Sequence, residues 1–257
     1  MNSVELRSGD SSALVLPDDG GIVASFKVQG VDVLLPDQVF DRGGGYPLTR
    51  RGGIFLVFPN FGSPKKVTGE FNLPKHGFAR DLPWRIVEMH DDNVLLELSS
   101  LGEVSYPYKF AIGREISIKP NKLSEVVVVV NRGSDSMPFV FGYHPYFITP
   151  RDLNGITQTS IAGLDLRQQT LDESLTFPLE EEVGISIAGV GEVRMRVSDG
   201  FLESGFGEFV VWRDVPAYLC VEPIAGRDIR DPNLRINLSP RKSLTFGFEI
   251  EVASLDK

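Results

Sequence analysis

Short runs of β-branched and aromatic residues, separated by turn-forming residues, recur along this chain and leave little room for helices. Examples are "SALVLPDDGGIVASFKV", "WRIVEMHDDNVLLELSS", "FAIGREISIKPNKLSEVVVVVNRG" and "SLTFGFEIEVA". Such runs, bounded by Gly, Pro, Asn and Asp, are typical of strands joined by turns. No segment keeps a helical period for more than about two turns. The pattern therefore predicts an all-β protein built as a large antiparallel β-sandwich.

Two kinds of strand pattern occur among these runs. In "REISIK" and "EVRMRV", polar and apolar residues alternate, which predicts strands with one face in water. In "EVVVVV", every position after the first is apolar, which predicts a strand that is buried on both faces. We therefore expect the valine run to lie inside the sandwich.

Length and charge limit the domain organisation and the partners. All-β sandwiches of this size, 257 residues, are commonly one domain, and no boundary or repeat is evident, so we predict a single domain over residues 1–257. The net charge of −9 repels a polyanion, so nucleic acid is not an expected partner. A small anionic ligand is still compatible, because a few arginines in a cleft can reverse the local potential.

Cysteine content and the lack of familiar motifs exclude several classes. Cys220 is the only cysteine, which excludes internal disulfides and cysteine-rich metal sites and favours a cytoplasmic location. The start, "MNSVELRSGDSSALVL", lacks a signal-peptide pattern, and no run approaches the roughly 18 apolar residues that span a bilayer, so we expect a soluble protein with no membrane partner. H-E-x-x-H, G-x-G-x-x-G and P-loop motifs are all missing, so we expect no metal, nucleotide or other cofactor.

Two long loops carry candidate binding residues, "DRGGGYPLTRRGG" and "PNFGSPKKVTGEFNLPKHGFARDLPW". Arg51 precedes two glycines in the first loop, and the second loop holds His76 and Arg80 around Gly77. Ordered loops on a rigid β scaffold commonly carry binding groups, and two arginines beside a histidine suit an anion or a polyol. The alternative is that the loops only wrap the sandwich and that the arginines form surface ion pairs.

His144 lies inside the aromatic run "FGYHPYF". Its neighbours desolvate the imidazole, and desolvation lowers the pKa of a histidine unless a carboxylate compensates. Held by such a partner, His144 is a candidate general acid. The alternative is a core histidine that donates one hydrogen bond to a carbonyl. His90, in the turn "MHDDN", is given no role.

Glu222 lies in "YLCVEP", where it shares one strand face with Cys220. Because proline lacks an N–H, we expect Pro223 to end strand pairing and Glu222 to lie at a strand terminus. Burial of this carboxylate is costly unless it is paired or used, and burial raises its pKa toward the range of a general base. The alternative is a salt bridge to Arg227.

Four segments, "RRGGIFLVFPNFG", "LPKHGFARDLPW", "FGYHPYF" and "YLCVEPIAG", together resemble the aldose 1-epimerase (galactose mutarotase-like) family, and in particular its glucose-6-phosphate 1-epimerase branch. The resemblance covers residues 13–252, with all four segments in the family's order. It implies a β-supersandwich with a cleft for a small sugar or sugar phosphate. It also implies an isomerase that interconverts α and β anomers by acid/base ring opening.

The resemblance also implies roles for particular residues. His144 matches the general acid toward the ring oxygen, and Glu222 matches the base toward the C1 hydroxyl. His76 matches a histidine that binds the sugar and helps to polarise the ring oxygen. Arg51 and Arg80 match arginines that face the substrate and its phosphate in the phosphosugar branch.

The chain departs from the family pattern at one point, because it lacks a segment such as "TDRVY" with a further sugar-binding aspartate. Asp165 and Asp199 are the candidates to replace it. Lys65, Lys66 and Lys75 are either further phosphate ligands or solvated lysines. Two other functions stay open: a sugar-binding module without turnover, and a glycosidase, which would need two carboxylates about 5–10 Å apart.

Overall fold

The computed structural model describes residues 2–40, 49–62, 73–100, 102, 105–149, 156–161, 164–166 and 170–255. Parts of both candidate loops, residues 41–48 and 63–72, lie outside the described residues, and with them Lys65 and Lys66.

Within the described residues the chain forms twenty-one strands and one short helix. In chain order these are β1 (Val4–Ser8), β2 (Ser11–Leu16), β3 (Ile22–Val28), β4 (Val31–Asp32), β5 (Gln38–Phe40), β6 (Thr49–Arg51), β7 (Ile54–Val57), β8 (Arg85–Met89), β9 (Asn93–Ser100), β10 (Phe110–Lys119), β11 (Lys122–Asn131), β12 (Met137–Phe139), β13 (Phe141–Ile148), β14 (Ile156–Thr159), β15 (Leu175–Pro178), β16 (Glu182–Ile187), β17 (Gly191–Asp199), α1 (Gly200–Glu203), β18 (Gly207–Trp212), β19 (Tyr218–Ala225), β20 (Ile236–Leu238) and β21 (Ser243–Ser254).

Two large sheets carry the fold. One has nine strands in the order β1-β2-β3-β7-β13-β19-β18-β15, with β4 paired to β3. The other has eight, in the order β14-β16-β17-β21-β11-β10-β9-β8. β12 pairs with β20 and β5 with β6 as small additional ribbons. Pairing between these strands is antiparallel, which confirms the predicted all-β antiparallel sandwich.

The main hydrophobic core lies between the two sheets. Alternate residues of β10 and β11 are buried, as the period-two pattern predicts. The same holds for β17, which contains "EVRMRV". Aromatic residues of β13 contribute to this core, among them Phe141, Tyr143 and Phe147.

The expectation that "EVVVVV" is buried on both faces is wrong. In β11, Val127 and Val129 point into the core, whereas Val126 on the opposite face is 42% exposed. Glu125 shares the core-facing side with the two buried valines. A β-branched residue suits a strand on either face, so a valine run does not by itself indicate two-sided burial.

A second apolar cluster covers the outer face of the nine-stranded sheet, on the side away from the main core. Its members include Phe55 of β7, Tyr146 of β13, and Tyr218 and Cys220 of β19. The central strands of this sheet are therefore buried on both faces, and β13 and β19 are buried at nearly every position. In the part of the chain that the structure describes, no helix is long and apolar enough to cross a membrane.

Candidate active site

Neighbouring central strands bring His144 and Glu222 together on the outer face of the nine-stranded sheet. Gly142 pairs with Ile224 and Tyr146 pairs with Cys220, so the antiparallel register sets His144 opposite Glu222. The distance from His144 Nε2 to Glu222 Oε2 is 3.4 Å. Two residues that are distant in sequence thus become direct cross-strand neighbours.

The prediction that Pro223 ends strand pairing is wrong. β19 continues to Ala225, and Pro223 pairs in register with Phe209 of β18. On the β13 side the pairing is interrupted between residues 142 and 146, and Pro145 and Pro223 both fall in this interruption. Because neither proline has an N–H, the ladder opens locally without ending either strand. The His144–Glu222 pair lies in this opening, in the middle of the sheet and not at its edge.

Burial and aromatic contacts define the state of His144. The residue is 3% exposed, and its ring lies 4.5 Å from the Phe55 ring and 4.8 Å from the Tyr146 ring, centroid to centroid. Burial lowers the pKa of His144 well below the usual histidine value, and nearby cationic groups lower it further. Among the described residues, no carbonyl accepts a hydrogen bond from its buried Nδ1. The alternative of a core histidine bonded to a carbonyl is therefore not supported.

Glu222 is 2% exposed, and burial raises the pKa of its carboxyl well above the usual glutamate value. The alternative partner Arg227 instead pairs with Glu208, at 3.6 Å. The imidazole of His144 lies against the Glu222 carboxylate. Burial therefore favours the neutral form of each group, an imidazole at His144 and a carboxylic acid at Glu222.

His76 sits at a backbone position that glycine makes possible. The φ angle is +62° at His76 and +74° at Gly77, and a Cβ at Gly77 would clash with the carbonyl oxygen of Phe58. The Gly62 amide donates a hydrogen bond to His76 Nδ1 at 3.3 Å, so the proton of the neutral ring is on Nε2. Burial, aided by nearby cations, lowers the pKa of His76 to about 2. His76 is thus a neutral hydrogen-bond donor whose ring centroid lies 5.1 Å from that of His144.

The two predicted arginines differ in how they are held. Arg51 Nη2 donates to Asp214 at 3.0 Å, and Arg51 Nε donates to the Tyr218 hydroxyl at 3.2 Å. Arg80 instead lies with its guanidinium carbon 3.8 Å from the Phe55 ring centroid, and Asp81 is 3.7 Å from its Nε. Arg51 is therefore largely neutralised by a buried carboxylate, whereas Arg80 keeps more of its charge for a ligand.

All five predicted site residues line one cavity of about 680 Å³. They are His144, Glu222, His76, Arg51 and Arg80. This volume falls in the range of about 300–1,000 Å³ that is usual for small-molecule sites.

Trp212 and Asp172 are among the residues lining this cavity that sequence reasoning missed. The Trp212 Nε1 donates a hydrogen bond to Asp172 Oδ1 at 3.4 Å. Neither Asp165 nor Asp199 is among the described residues that line the cavity. Asp172 adopts φ +65° in a turn, a conformation that Asp tolerates, but nothing in "TLDES" distinguishes it from any other turn.

Replacing Glu222 by Gln is expected to raise the melting temperature, and the gain should grow as the pH rises. A folded-state pKa above the unfolded value means that the wild type loses stability as the pH rises through the folded pKa, because the buried carboxyl must ionise. The uncharged amide avoids this cost. Thermal unfolding of both proteins from about pH 5 to about pH 9 measures the effect. A difference in melting temperature that is constant with pH would contradict a raised pKa at Glu222.

The protein is a β-sandwich of two large sheets with a cavity on the outer face of the nine-stranded sheet, and solved structures share this fold. A galactose mutarotase related enzyme from Lactobacillus acidophilus has a similar structure, with a TM-score of 0.76 and 19% identity over 100% of this chain and 99% of that one. A galactose mutarotase-like protein from Lactobacillus casei gives a TM-score of 0.75 at 15% identity, over 97% and 99% of the two chains. These likenesses confirm the predicted fold.

The aldose 1-epimerase family model matches residues 2–182, and the chain belongs to that family. A protein named "Putative glucose-6-phosphate 1-epimerase" from Escherichia coli K12 is 25% identical over 197 residues, 67% of this chain and 63% of that protein. One of the same name from Cenchrus ciliaris is 26% identical over 64% of this chain and 51% of its own length. The chain thus spans less than two thirds of these relatives. The matched family region contains His76 and His144 but ends before Glu222.

Proposed function

We propose that this protein is an aldose 1-epimerase that interconverts the α and β anomers of an aldohexose or a hexose 6-phosphate. The observation that carries the proposal is the facing pair of His144 and Glu222, 3.4 Å apart, on the wall of a cavity that fits a hexose. Membership of the aldose 1-epimerase family supports the same reaction.

Ring opening requires a proton at O5 and the removal of the proton from O1. In the proposed reaction His144 gives its proton to O5 while Glu222 takes the O1 proton, and the C1–O5 bond breaks to leave an aldehyde. Rotation about the C1–C2 bond then presents the other face of the aldehyde. Ring closure reverses both proton transfers and yields the opposite anomer.

Burial of His144 and Glu222 favours the open-chain intermediate of this reaction, in which both groups are neutral. Before ring opening the pair must be imidazolium and carboxylate, and afterwards both groups are neutral. Because burial lowers the pKa of His144 and raises that of Glu222, proton transfer through the sugar relieves charge from a poorly solvated site. The proton that the free protein keeps on Glu222 reaches His144 over the 3.4 Å that separate the two groups.

Other cavity residues provide positioning. The Nε2–H of His76 is a neutral donor beside His144 and suits a hydrogen bond to the ring oxygen. Asp172 provides a carboxylate for sugar hydroxyls, the role for which the sequence suggested Asp165 or Asp199. Trp212, which is hydrogen-bonded to Asp172, offers an aromatic face for the apolar side of the sugar.

A hexose 6-phosphate is the preferred substrate within this proposal, because cations gather on one side of the cavity. The ammonium group of Lys75 lies 5.9 Å from the Trp212 ring centroid, and the Arg51 guanidinium carbon lies 5.3 Å from it. Among the described residues, no carboxylate lies within ion-pair distance of Lys75. Lys75 and Arg80 are therefore the cations best able to bind a phosphate.

Replacing Lys75 by Met should raise KM for glucose 6-phosphate by about tenfold or more and change KM for glucose by less than about threefold. Lys75 is a better probe than Arg51, because Arg51 also holds Asp214. The matched control is Lys119→Met at the exposed end of β10, which should change neither value. An equal effect of the Lys75 substitution on both sugars would contradict a phosphate site at Lys75.

The proposed reaction is tested by NMR exchange spectroscopy between the anomers of glucose, galactose and glucose 6-phosphate. Exchange faster than the spontaneous rate for any of them supports the proposal, and the ranking identifies the substrate class. Binding of a sugar without faster exchange would instead favour a sugar-binding module. Hydrolysis of a glycoside would favour a glycosidase.

A further inference from the structure

The Cys220 side chain lies beside His144 and Glu222, so that three side chains able to bind a metal are close together. One ligand atom from each lies within 4.8 Å of the others, and all three residues are buried. Cys220 precedes Glu222 by two residues on β19, so both side chains leave the same face of the strand. The proposed epimerase reaction uses His144 and Glu222 and leaves the Cys220 thiol without a task.

The separations are close to those of a tetrahedral metal site. Bond lengths of about 2.0–2.3 Å to nitrogen, oxygen and sulfur place the ligand atoms about 3.3–3.7 Å from one another. The observed 3.4 Å between His144 Nε2 and Glu222 Oε2 already matches this spacing. The remaining separations need to shrink by about 1 Å at most, which side-chain rotation can supply.

An unsatisfied polar atom lies at the same place. In the described part of the chain, Glu222 Oε2 is buried and has no hydrogen-bond partner. A metal ion would satisfy a ligand atom that the protein leaves without a donor. Because His144 and Glu222 also line the sugar cavity, the fourth coordination position is open to water.

We propose that His144, Cys220 and Glu222 bind a thiophilic divalent ion, such as Zn²⁺ or Cd²⁺, and that the bound ion inhibits the protein. On binding, the Cys220 thiol and the Glu222 carboxyl each release a proton to solvent, and the resulting thiolate and carboxylate balance the two positive charges of the ion. The soft thiolate and the imidazole favour Zn²⁺ or Cd²⁺ over hard cations such as Mg²⁺, which prefer oxygen ligands. The ion occupies both groups of the catalytic pair, and metal and sugar therefore exclude each other.

Binding is tested on the intact protein with Cd²⁺ alone, through the ultraviolet charge-transfer band between thiolate and cadmium. We expect a band that saturates at one ion per chain in the wild type and that Cys220→Ala lacks. The sugar should reduce the band. This readout needs no enzymatic activity, so it remains informative even if the proposed epimerase reaction is not observed.

Inhibition is tested with Zn²⁺ in the anomer exchange assay, and this arm rests on the proposed function. We expect Cys220→Ala to keep its basal exchange rate and to need at least about tenfold more Zn²⁺ for half inhibition. His90→Ala is the control, because His90 Nε2 lies 2.8 Å from Glu88 Oε1 at the surface, where an ion could bind adventitiously. The absence of a Cd²⁺ band in the wild type, or equal inhibition of wild type and Cys220→Ala, would overturn the proposal.

Discussion

Replacing Glu222 by Gln is expected to slow enzyme-catalysed anomer exchange by about 10²- to 10⁴-fold while sugar affinity changes by less than about threefold. The amide has nearly the same shape as the carboxyl group but cannot accept the O1 proton at neutral pH. The loss therefore affects the transition state and leaves ground-state contacts in place, so kcat falls and KM stays close to the wild-type value.

NMR exchange rates and sugar titrations on the same samples separate these two effects. Glu88→Gln is the matched control, because Glu88 is an exposed glutamate whose hydrogen-bond partner is His90 at the surface. The control should keep the full exchange rate. If Glu222→Gln retained more than about a tenth of the wild-type rate, Glu222 would not be the base, and the exchange would have to be attributed to His144 with water.

The sequence indicated the strands, and also His144 and Glu222, because each can be recognised from a short local segment. Alternation in "REISIK" and turn residues between the runs predict antiparallel strands without knowledge of which strands meet. Resemblance to the family singled out His144 and Glu222. The register that sets them opposite each other depends on the order of strands in the sheet, and no local pattern contains that order.

Residues that sequence reasoning missed or misplaced owe their positions to long-range packing. Asp172 reaches the cavity only because its turn packs beside β18, where Trp212 donates a hydrogen bond to it. Pro223 was misplaced because a proline in a strand usually marks an edge. Here Pro145 lies near Pro223 on the adjacent strand β13. Both prolines lack a backbone N–H, and both fall in the same gap in the β13–β19 hydrogen-bond ladder. Such compensation between distant segments is invisible in either segment alone.

Arg114 is an example of a residue whose type contradicts its position. It begins the run "REISIK" on the same strand face as Ile116 and Ile118, and although arginine is rarely fully buried, the residue is 0% exposed. Arg114 Nε donates to Glu125 Oε2 at 2.8 Å, and Nη1 donates to the carbonyl of Gly21 at 2.6 Å. The side chain thus links the eight-stranded sheet to the turn between β2 and β3 of the nine-stranded sheet.

Replacing Arg114 by Met should destabilise the protein by about 3–5 kcal/mol, because the substitution leaves the Glu125 carboxylate buried without its cation. Burial already raises the pKa of Glu125, and Arg114 opposes that rise. Removing Arg114 therefore raises the pKa further, so the deficit should be smallest at low pH, where Glu125 is protonated, and grow as the pH rises.

The double variant Arg114→Met/Glu125→Met separates the lost ion pair from lost packing. If the uncompensated carboxylate is the cause, the double variant should regain most of the stability, since apolar residues of similar volume often replace a buried ion pair without loss. Thermal unfolding of the wild type, both single variants and the double variant gives the coupling energy directly. A double variant as unstable as Arg114→Met, with no change in the deficit between about pH 5 and about pH 8, would instead assign the loss to the bond with Gly21 and to the link between the two sheets.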